Sequence, residues 1–188
     1  DALPIWKFYD GGSSYNGWRA LEYKGFEDRP FPENKTLSAN GDMDDIISPA
    51  FDLSGLSAGN AYFNFYMAGA TRGSSIADMK DTLWVYYSSN CGNTWVKLNN
   101  YQNASLCNNG SVTGEFKPDA TTTWKPNSIA LPSAALTNST FFKFRIKPGK
   151  FANNIYIDNV LIDSKPASVS NSDVSGFAFD VIPNPVVN

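Results

Sequence analysis

An all-β fold, an antiparallel β-sandwich of the jelly-roll kind with about nine strands, is what this sequence predicts. Three observations carry it. Short runs of alternating apolar and polar residues recur along the chain, with the period of two that a half-buried strand requires. Clusters of Gly, Pro, Asn, Asp and Ser separate these runs. No segment shows the three-to-four spacing of an amphipathic helix. A length of 188 residues suits one sizeable domain.

Residues 5–9 open as a strand, with Ile5, Lys7 and Tyr9 opposed to Trp6 and Phe8. Asp10-Gly11-Gly12-Ser13-Ser14 is a turn, and 17–23 is a second strand in which Trp18 and Ala20 oppose Arg19 and Leu21. Residues 24–41 read as loop, punctuated by Pro30, Pro32, Asn34 and Asn40-Gly41. Residues 44–53 form a strand that Ser48-Pro49 demotes to an edge or a bulge, because proline gives no N–H to a ladder. The clearest core strand is 61–69. There Ala61, Phe63, Phe65 and Met67 line one face, and Tyr62, Asn64 and Tyr66 the other. Residues 71–80 are a polar loop. In 81–89, Leu83, Val85 and Tyr87 stand opposite Trp84 and Tyr86. A turn at 90–93 leads to a short strand at 94–98, a long polar connection at 99–118 and an extended stretch at 121–131. Residues 140–147 place Phe142, Phe144 and Ile146 inward and Lys143, Arg145 and Lys147 outward, a row of cations.

The strand at 154–163 breaks its own alternation. Ile155 and Ile157 share one face, yet Val160 and Ile162 continue at the opposite parity. With a period of two, parity changes only through an extra residue, so a β-bulge is expected at Asp158-Asn159. Bulges re-aim side chains near sites, which makes Asp158 a functional candidate; the alternative is an edge carboxylate in a kinked strand. Beyond residue 163 the composition shifts. Residues 164–175 read as linker, and 176–188 as the fresh start of another module, ending in Pro183-Asn184-Pro185 and three more residues.

Composition excludes several functions. The net charge is −3 and no basic run exists, against nucleic acid or an anionic membrane as the main partner. There is no histidine, which removes Ser-His-Asp and Cys-His nucleophiles and imidazole-based zinc sites. Two cysteines alone cannot complete a four-ligand zinc or iron–sulfur site. Cys91 and Cys107 flank an Asn-rich loop; a disulfide formed in an oxidising compartment is expected, with two free thiols as the alternative. No run of some eighteen apolar residues is available to span a membrane as a helix. The chain begins at Asp1 without a charged-then-apolar leader, so a signal peptide is expected to have been removed or to lie outside the sequence.

The order of several motifs resembles that of MAM-type and cleaved-adhesin jelly rolls, members of the galactose-binding-like sandwiches, and in particular the adhesin domains of gingipains and other type IX-secreted bacterial proteins. The matching residues are Leu3-Pro4 with Trp6, Asp10-Gly11 and Trp18, then Asp44-Asp45-Ile46-Ile47-Ser48-Pro49 with Phe51-Asp52-Leu53. The aromatic strand Phe63-Asn64-Phe65-Tyr66-Met67-Ala68 follows, then Asp81-Thr82-Leu83-Trp84-Val85 leading into Asn90-Cys91-Gly92-Asn93-Thr94-Trp95. Residues 142–146 and 154–162 complete a resemblance that covers nearly all of 1–163. Asp180-Val181-Ile182-Pro183-Asn184-Pro185 is similar to the opening of a type IX C-terminal sorting domain. The resemblance thus implies a jelly-roll adhesin-like domain at 1–163, a linker at 164–175, and the beginning of a sorting domain at 176–188.

The resemblance also implies a structural calcium ion near the first and last strands. Asp10, Asp42, Asp44, Asp45 and Asp158 are the candidate ligands, since hard cations want clustered oxygens. The alternative is that Asp42, Asp44 and Asp45 are turn and cap residues of an acidic loop. Glycoside hydrolysis needs two facing carboxylates, and Glu22, Glu27, Glu33 and Glu115 show no pairing, so no enzyme is expected. Trp84, Tyr86, Trp95, Tyr101 and Trp124 are candidates for stacking on sugars or anchoring a partner chain, each with a core position as its alternative. The expected role is a calcium-stabilised, non-catalytic adhesion module, monomeric in isolation, of a secreted or cell-surface multidomain protein, with a peptidase upstream and a host or matrix protein or glycan as partner. A carbohydrate-binding module of a polysaccharide-degrading enzyme and a spacer before the sorting domain are the alternatives.

Overall fold

The computed structural model describes residues 6–9, 19–21, 25–28 and 43–167. Two antiparallel five-stranded sheets face one another. The first runs β1 (Lys7–Tyr9), β4 (Asp44–Ile47), β9 (Phe141–Lys147), β6 (Thr82–Ser88), β7 (Val96–Gln102) in spatial order. The second runs β2 (Arg19–Leu21), β3 (Gly25–Asp28), β10 (Ala152–Asp163), β5 (Tyr62–Thr71), β8 (Lys125–Ala130). Ten strands are therefore described where about nine were expected, and no α-helix is found among the described residues.

The inward residues of both sheets meet in one core. Phe63 of β5 stacks on Phe142 of β9, ring centroids 4.3 Å apart, and Phe65 meets Phe144 edge-on at 5.0 Å. Ile46, Leu83, Val85, Ile146, Ile155 and Ile157 close around these rings, all fully buried. Each sits at the parity its strand's alternation requires, so burial selects the register: a one-residue slip would turn these side chains to solvent.

β10 carries the expected bulge. Asp158 pairs with Tyr66 and Leu161 with Asn64, so one extra residue lies on β10, and Asn159 takes φ 50°. The parity change keeps Val160 and Ile162 packed against the same core as Ile155 and Ile157. A second bulge, between Ala152 and Ile155, was not visible in the sequence.

Two element readings need correction. The stretch 24–41, read as loop, contains β3, whose backbone pairs with β10 (Phe26 with Ile157, Asp28 with Ile155). Gly-Phe-Glu-Asp lacks an alternating pattern, and the ladder alone makes it a strand. The short strand at 94–98 extends through Gln102, because Asn99, Asn100 and Tyr101 pair with β6 despite their polar composition. At the other end of the sandwich, residues of the expected linker fold back: buried Asn64 donates to the Lys165 carbonyl at 2.9 Å and accepts from the Ala167 N–H at 3.0 Å. Residues 176–188, expected to begin a sorting domain, lie outside the described residues.

The outer faces of the two sheets differ. Residues 107–124 cross the outside of the second sheet, where Phe116 and Tyr156 meet edge-on at 5.7 Å over Ala68 and Ala70. Tyr156 Oη donates to the Phe116 carbonyl at 2.8 Å, and Asn153 Nδ2 donates to the carbonyls of Val112 and Gly114. The approach is close: a Cβ on Gly69 would collide with the Leu106 carbonyl oxygen. Among the described residues, no segment crosses the outside of the first sheet in this way.

Candidate functional site

The outside of the first sheet is built from alternation alone. With Phe142, Phe144 and Ile146 of β9 and Leu83, Val85 and Tyr87 of β6 turned into the core, Lys143, Arg145, Trp84 and Tyr86 must face out. Antiparallel register aligns them in rows. One row reads Lys7, Ile47, Lys143, Tyr86, Lys97 across all five strands. Beside it run Asp45, Arg145, Trp84 and Asn100, and then Lys147, Thr82 and Gln102.

A tight turn adds a third ring. Asn90 Oδ1 accepts from the Ser88 hydroxyl and from the Thr94 N–H, both at 2.9 Å, while Asn90 Nδ2 donates to Thr94 Oγ1 at 2.8 Å. Cys91 and Gly92 turn the chain at φ 58° and 81°. The turn returns Trp95 over β9, where its ring centroid lies 4.3 Å from Lys143 Nζ; that of Tyr86 lies at 5.2 Å.

Lys143 is the centre of the cluster and is only 4% exposed. Its ammonium lies 3.4 Å from Asp45 Oδ2. Asp45 also receives Arg145 in a two-point fork, Nε to Oδ1 at 2.6 Å and Nη2 to Oδ2 at 2.7 Å. Burial, with the neighbouring Arg145 charge, holds the Lys143 ammonium below the usual amine range against the pull of Asp45. The hydrogen bond to Asp45 pushes Arg145 up. One carboxylate thus fixes two cations, one of which fixes two rings. Trp84, Tyr86, Trp95 and Arg145 remain partly exposed above this frame.

The expected ligand-binding aromatics divide accordingly. Trp84, Tyr86 and Trp95 converge here. Tyr101 faces the core, edge-on to Phe65 at 5.8 Å, and Trp124 packs with Phe116 and Tyr156 on the other sheet. Sequence reasoning missed the role of Lys143, which alternation marked as a solvated cation. The signal was its neighbourhood: it lies between strands carrying Tyr86 and Asp45, and Trp95 follows a tight turn.

Of the expected metal ligands, Asp45 and Asp158 do not come together. Asp45 is engaged by Arg145 and Lys143 on the first sheet, whereas Asp158 belongs to the second, half-buried, with Oδ1 accepting its neighbour's N–H from Asn159 at 2.7 Å. Asp45 and Asp158 stand on opposite outer faces, with the core between them, so one ion cannot take both. Asp44 is buried at the end of β4, and Asp10 and Asp42 lie outside the described residues. No group of three or more acidic, Cys or His residues gathers among the described residues.

The expected disulfide is also absent. Cys91 is exposed in the β6–β7 turn, and Cys107 is buried past the far end of β7 with its thiol on the Gly110 carbonyl at 3.2 Å. The seven residues of β7 separate them by about 20 Å.

Among the described residues, no helix is long and apolar enough to cross a membrane. A shallow cleft of about 480 Å³ on the second sheet is lined by Glu115, Lys117, Asp119 and neighbouring threonines. Its charges are already engaged, Lys117 with Glu115 at 2.8 Å and Asp119 with the Thr121 hydroxyl at 2.7 Å.

Two antiparallel sheets packed face to face, one outer face cationic and aromatic, define a jelly-roll sandwich domain. The chain belongs to the Reelin subrepeat B family, whose model matches residues 54–163, more than half of its length. No curated protein matches it. Among solved structures it is similar to the K3 cleaved adhesin domain of the Lys-gingipain of Porphyromonas gingivalis w83, at 16% identity and TM-score 0.52, covering 84% of this chain and 90% of that one. It is also similar to a carbohydrate-binding module specific for non-crystalline cellulose, at 13% identity and TM-score 0.51, covering 84% of this chain and 87% of that one. These likenesses confirm the expected jelly roll.

Proposed function

We propose that this domain is a non-catalytic binding module of a larger secreted or cell-surface protein, and that it takes a glycan on the outer face of the first sheet. One observation carries the reading: Trp84, Tyr86 and Trp95 are partly exposed on one rigid sheet face, Tyr86 and Trp95 held against one buried ammonium and Trp84 across the ladder from Arg145. Such rings offer flat apolar area to the C–H faces of sugars at little entropic cost. Thr82, Asn100 and Gln102, on the neighbouring rows, supply donors and acceptors for hydroxyl groups. Similarity in fold to an adhesin domain and to a cellulose-specific module is in keeping with a binding role. On the same reading the parent protein carries a peptidase and leaves the cell by type IX secretion.

The test is a glycan array followed by calorimetry on the best ligand, with Trp84→Ala and Tyr86→Ala. Each substitution is expected to weaken binding about tenfold or more, since aromatic anchors dominate such surfaces. Tyr101→Phe, which alters an inward ring, should leave affinity unchanged. Binding that survives both anchor substitutions, or its absence across the whole array, overturns the reading.

A further inference from the structure

We infer that the glycan this face takes is anionic, a polysaccharide bearing uronate carboxylates or sulfate esters. The inference rests on the reading that the face binds a glycan, and it deepens that reading through charge. The chain as a whole carries a net charge of −3. Yet the three rows of the first sheet's outer face present Lys7, Lys97, Lys143, Arg145 and Lys147 against a single described carboxylate, Asp45. Both oxygens of that carboxylate are occupied from within, by the Arg145 fork and by Lys143. Asp45 is therefore an internal counter-ion, and the face keeps a surplus of positive charge on an acidic protein.

The geometry suits an anionic ring better than a neutral one. Asp45 uses the Nε and one Nη2 hydrogen of Arg145. The guanidinium has five N–H groups, so its outer Nη1–Nη2 edge remains for a second fork. The Arg145 side chain is 34% exposed, open enough to present that edge. A planar fork matches a carboxylate or a sulfate, and here it is aimed by Asp45 rather than left to sample rotamers. Trp84 is the direct cross-strand neighbour of Arg145. A sugar stacked on that ring would thus carry its acidic substituent to the guanidinium, with exposed Lys97 beside Tyr86 for the next charge. An acidic peptide would meet the same cations, but it would not use three partly exposed rings on a flat sheet as a stacking surface.

The experiment measures binding by calorimetry of an alginate oligosaccharide, a sulfated oligosaccharide and a neutral cello-oligosaccharide of equal length. The expected result is at least about tenfold tighter binding of an anionic chain at roughly 50 mM salt, falling several-fold toward about 500 mM as screening sets in. Lys97→Gln, an exposed change that keeps the fold, should lower anionic affinity about threefold and leave the neutral chain untouched. Arg145→Gln should cost more, and preference between uronate and sulfate shows which group the fork takes. Neutral and anionic chains binding equally, without salt dependence, overturn the anionic inference while the glycan face stands. No binding of any chain overturns both. Anionic binding that Trp84→Ala leaves intact places the charge recognition elsewhere and overturns the inference as well.

Discussion

Asp81 makes the stability of this domain depend on pH in an unusual direction. It is fully buried ahead of β6, with Oδ1 accepting the Gly149 N–H at 2.7 Å, while Oδ2 has no hydrogen-bond partner among the described residues. Burial raises its carboxyl from 3.8 to about 7, opposed by the Gly149 N–H and the Arg72 charge. The folded state therefore holds a proton that the unfolded chain has released. Stability contributed by this proton is complete below 3.8 and is lost as pH rises through about 7. The full swing is at most about 4 kcal/mol. Asp81→Asn keeps an oxygen for Gly149 and cannot ionise. By urea unfolding followed through tryptophan fluorescence, the variant should match the natural protein within about 1 kcal/mol near pH 4 and exceed it by some 3–4 kcal/mol near pH 8. Asp158, also raised by burial, acts in the same direction in both proteins. Asp52 and Asp119 are lowered by hydrogen bonds and act only below 3.8, outside this window. Parallel pH profiles for the two proteins, or an Asn variant weaker throughout, would refute a protonated Asp81 and leave a charged carboxylate satisfied by Arg72.

Asp45→Ala removes the shared counter-ion of Lys143 and Arg145 and should cost about 2–4 kcal/mol in urea unfolding, because two like charges are then left together partly desolvated. Cys91 should alkylate in the folded protein and Cys107 only on unfolding, with identical counts of alkylated thiols by mass spectrometry with or without reductant. A chain ended at Asp163 should lose about 1–3 kcal/mol relative to one ended at Ala167, since buried Asn64 would lose its Lys165 and Ala167 partners; equal melting curves for the two would show that the contact is idle.

Alternation made the strands of the core legible. Phe63, Phe65, Met67, Phe142, Phe144 and Ile146 all fall where a period of two puts them, and the β10 bulge follows from the parity of Ile155, Ile157, Val160 and Ile162. What alternation cannot supply is the neighbour across the ladder. β3 has no pattern of its own and exists because β10 offers it an edge. Asp45 reads as an acidic loop residue until β4 is laid against β9, where it meets Arg145. Cys91 and Cys107 are close in sequence, but the hairpin between them is a rigid spacer rather than a loop. Asp81 looks like a turn carboxylate, and only the packing of Gly149 and Asn103 around it makes it buried.

Lys143 is the residue whose burial asks for a reason. Taking an ammonium out of water costs several kcal/mol, and a buried ion pair commonly does no better than apolar residues of the same volume. Asp45 does not need Lys143, since Arg145 already satisfies both of its oxygens. Methionine fits the same space and favours aromatic contact. Lys143→Met should therefore leave stability within about 1 kcal/mol of the natural protein, or raise it. What the methionine lacks is the charge that draws the faces of Trp95 and Tyr86 toward one point. The variant should accordingly keep its melting curve and lose glycan affinity several-fold, with altered near-ultraviolet circular dichroism from the displaced rings. A loss of about 3 kcal/mol or more, with ligand affinity intact, would show instead that the buried cation serves the fold and not the face above it.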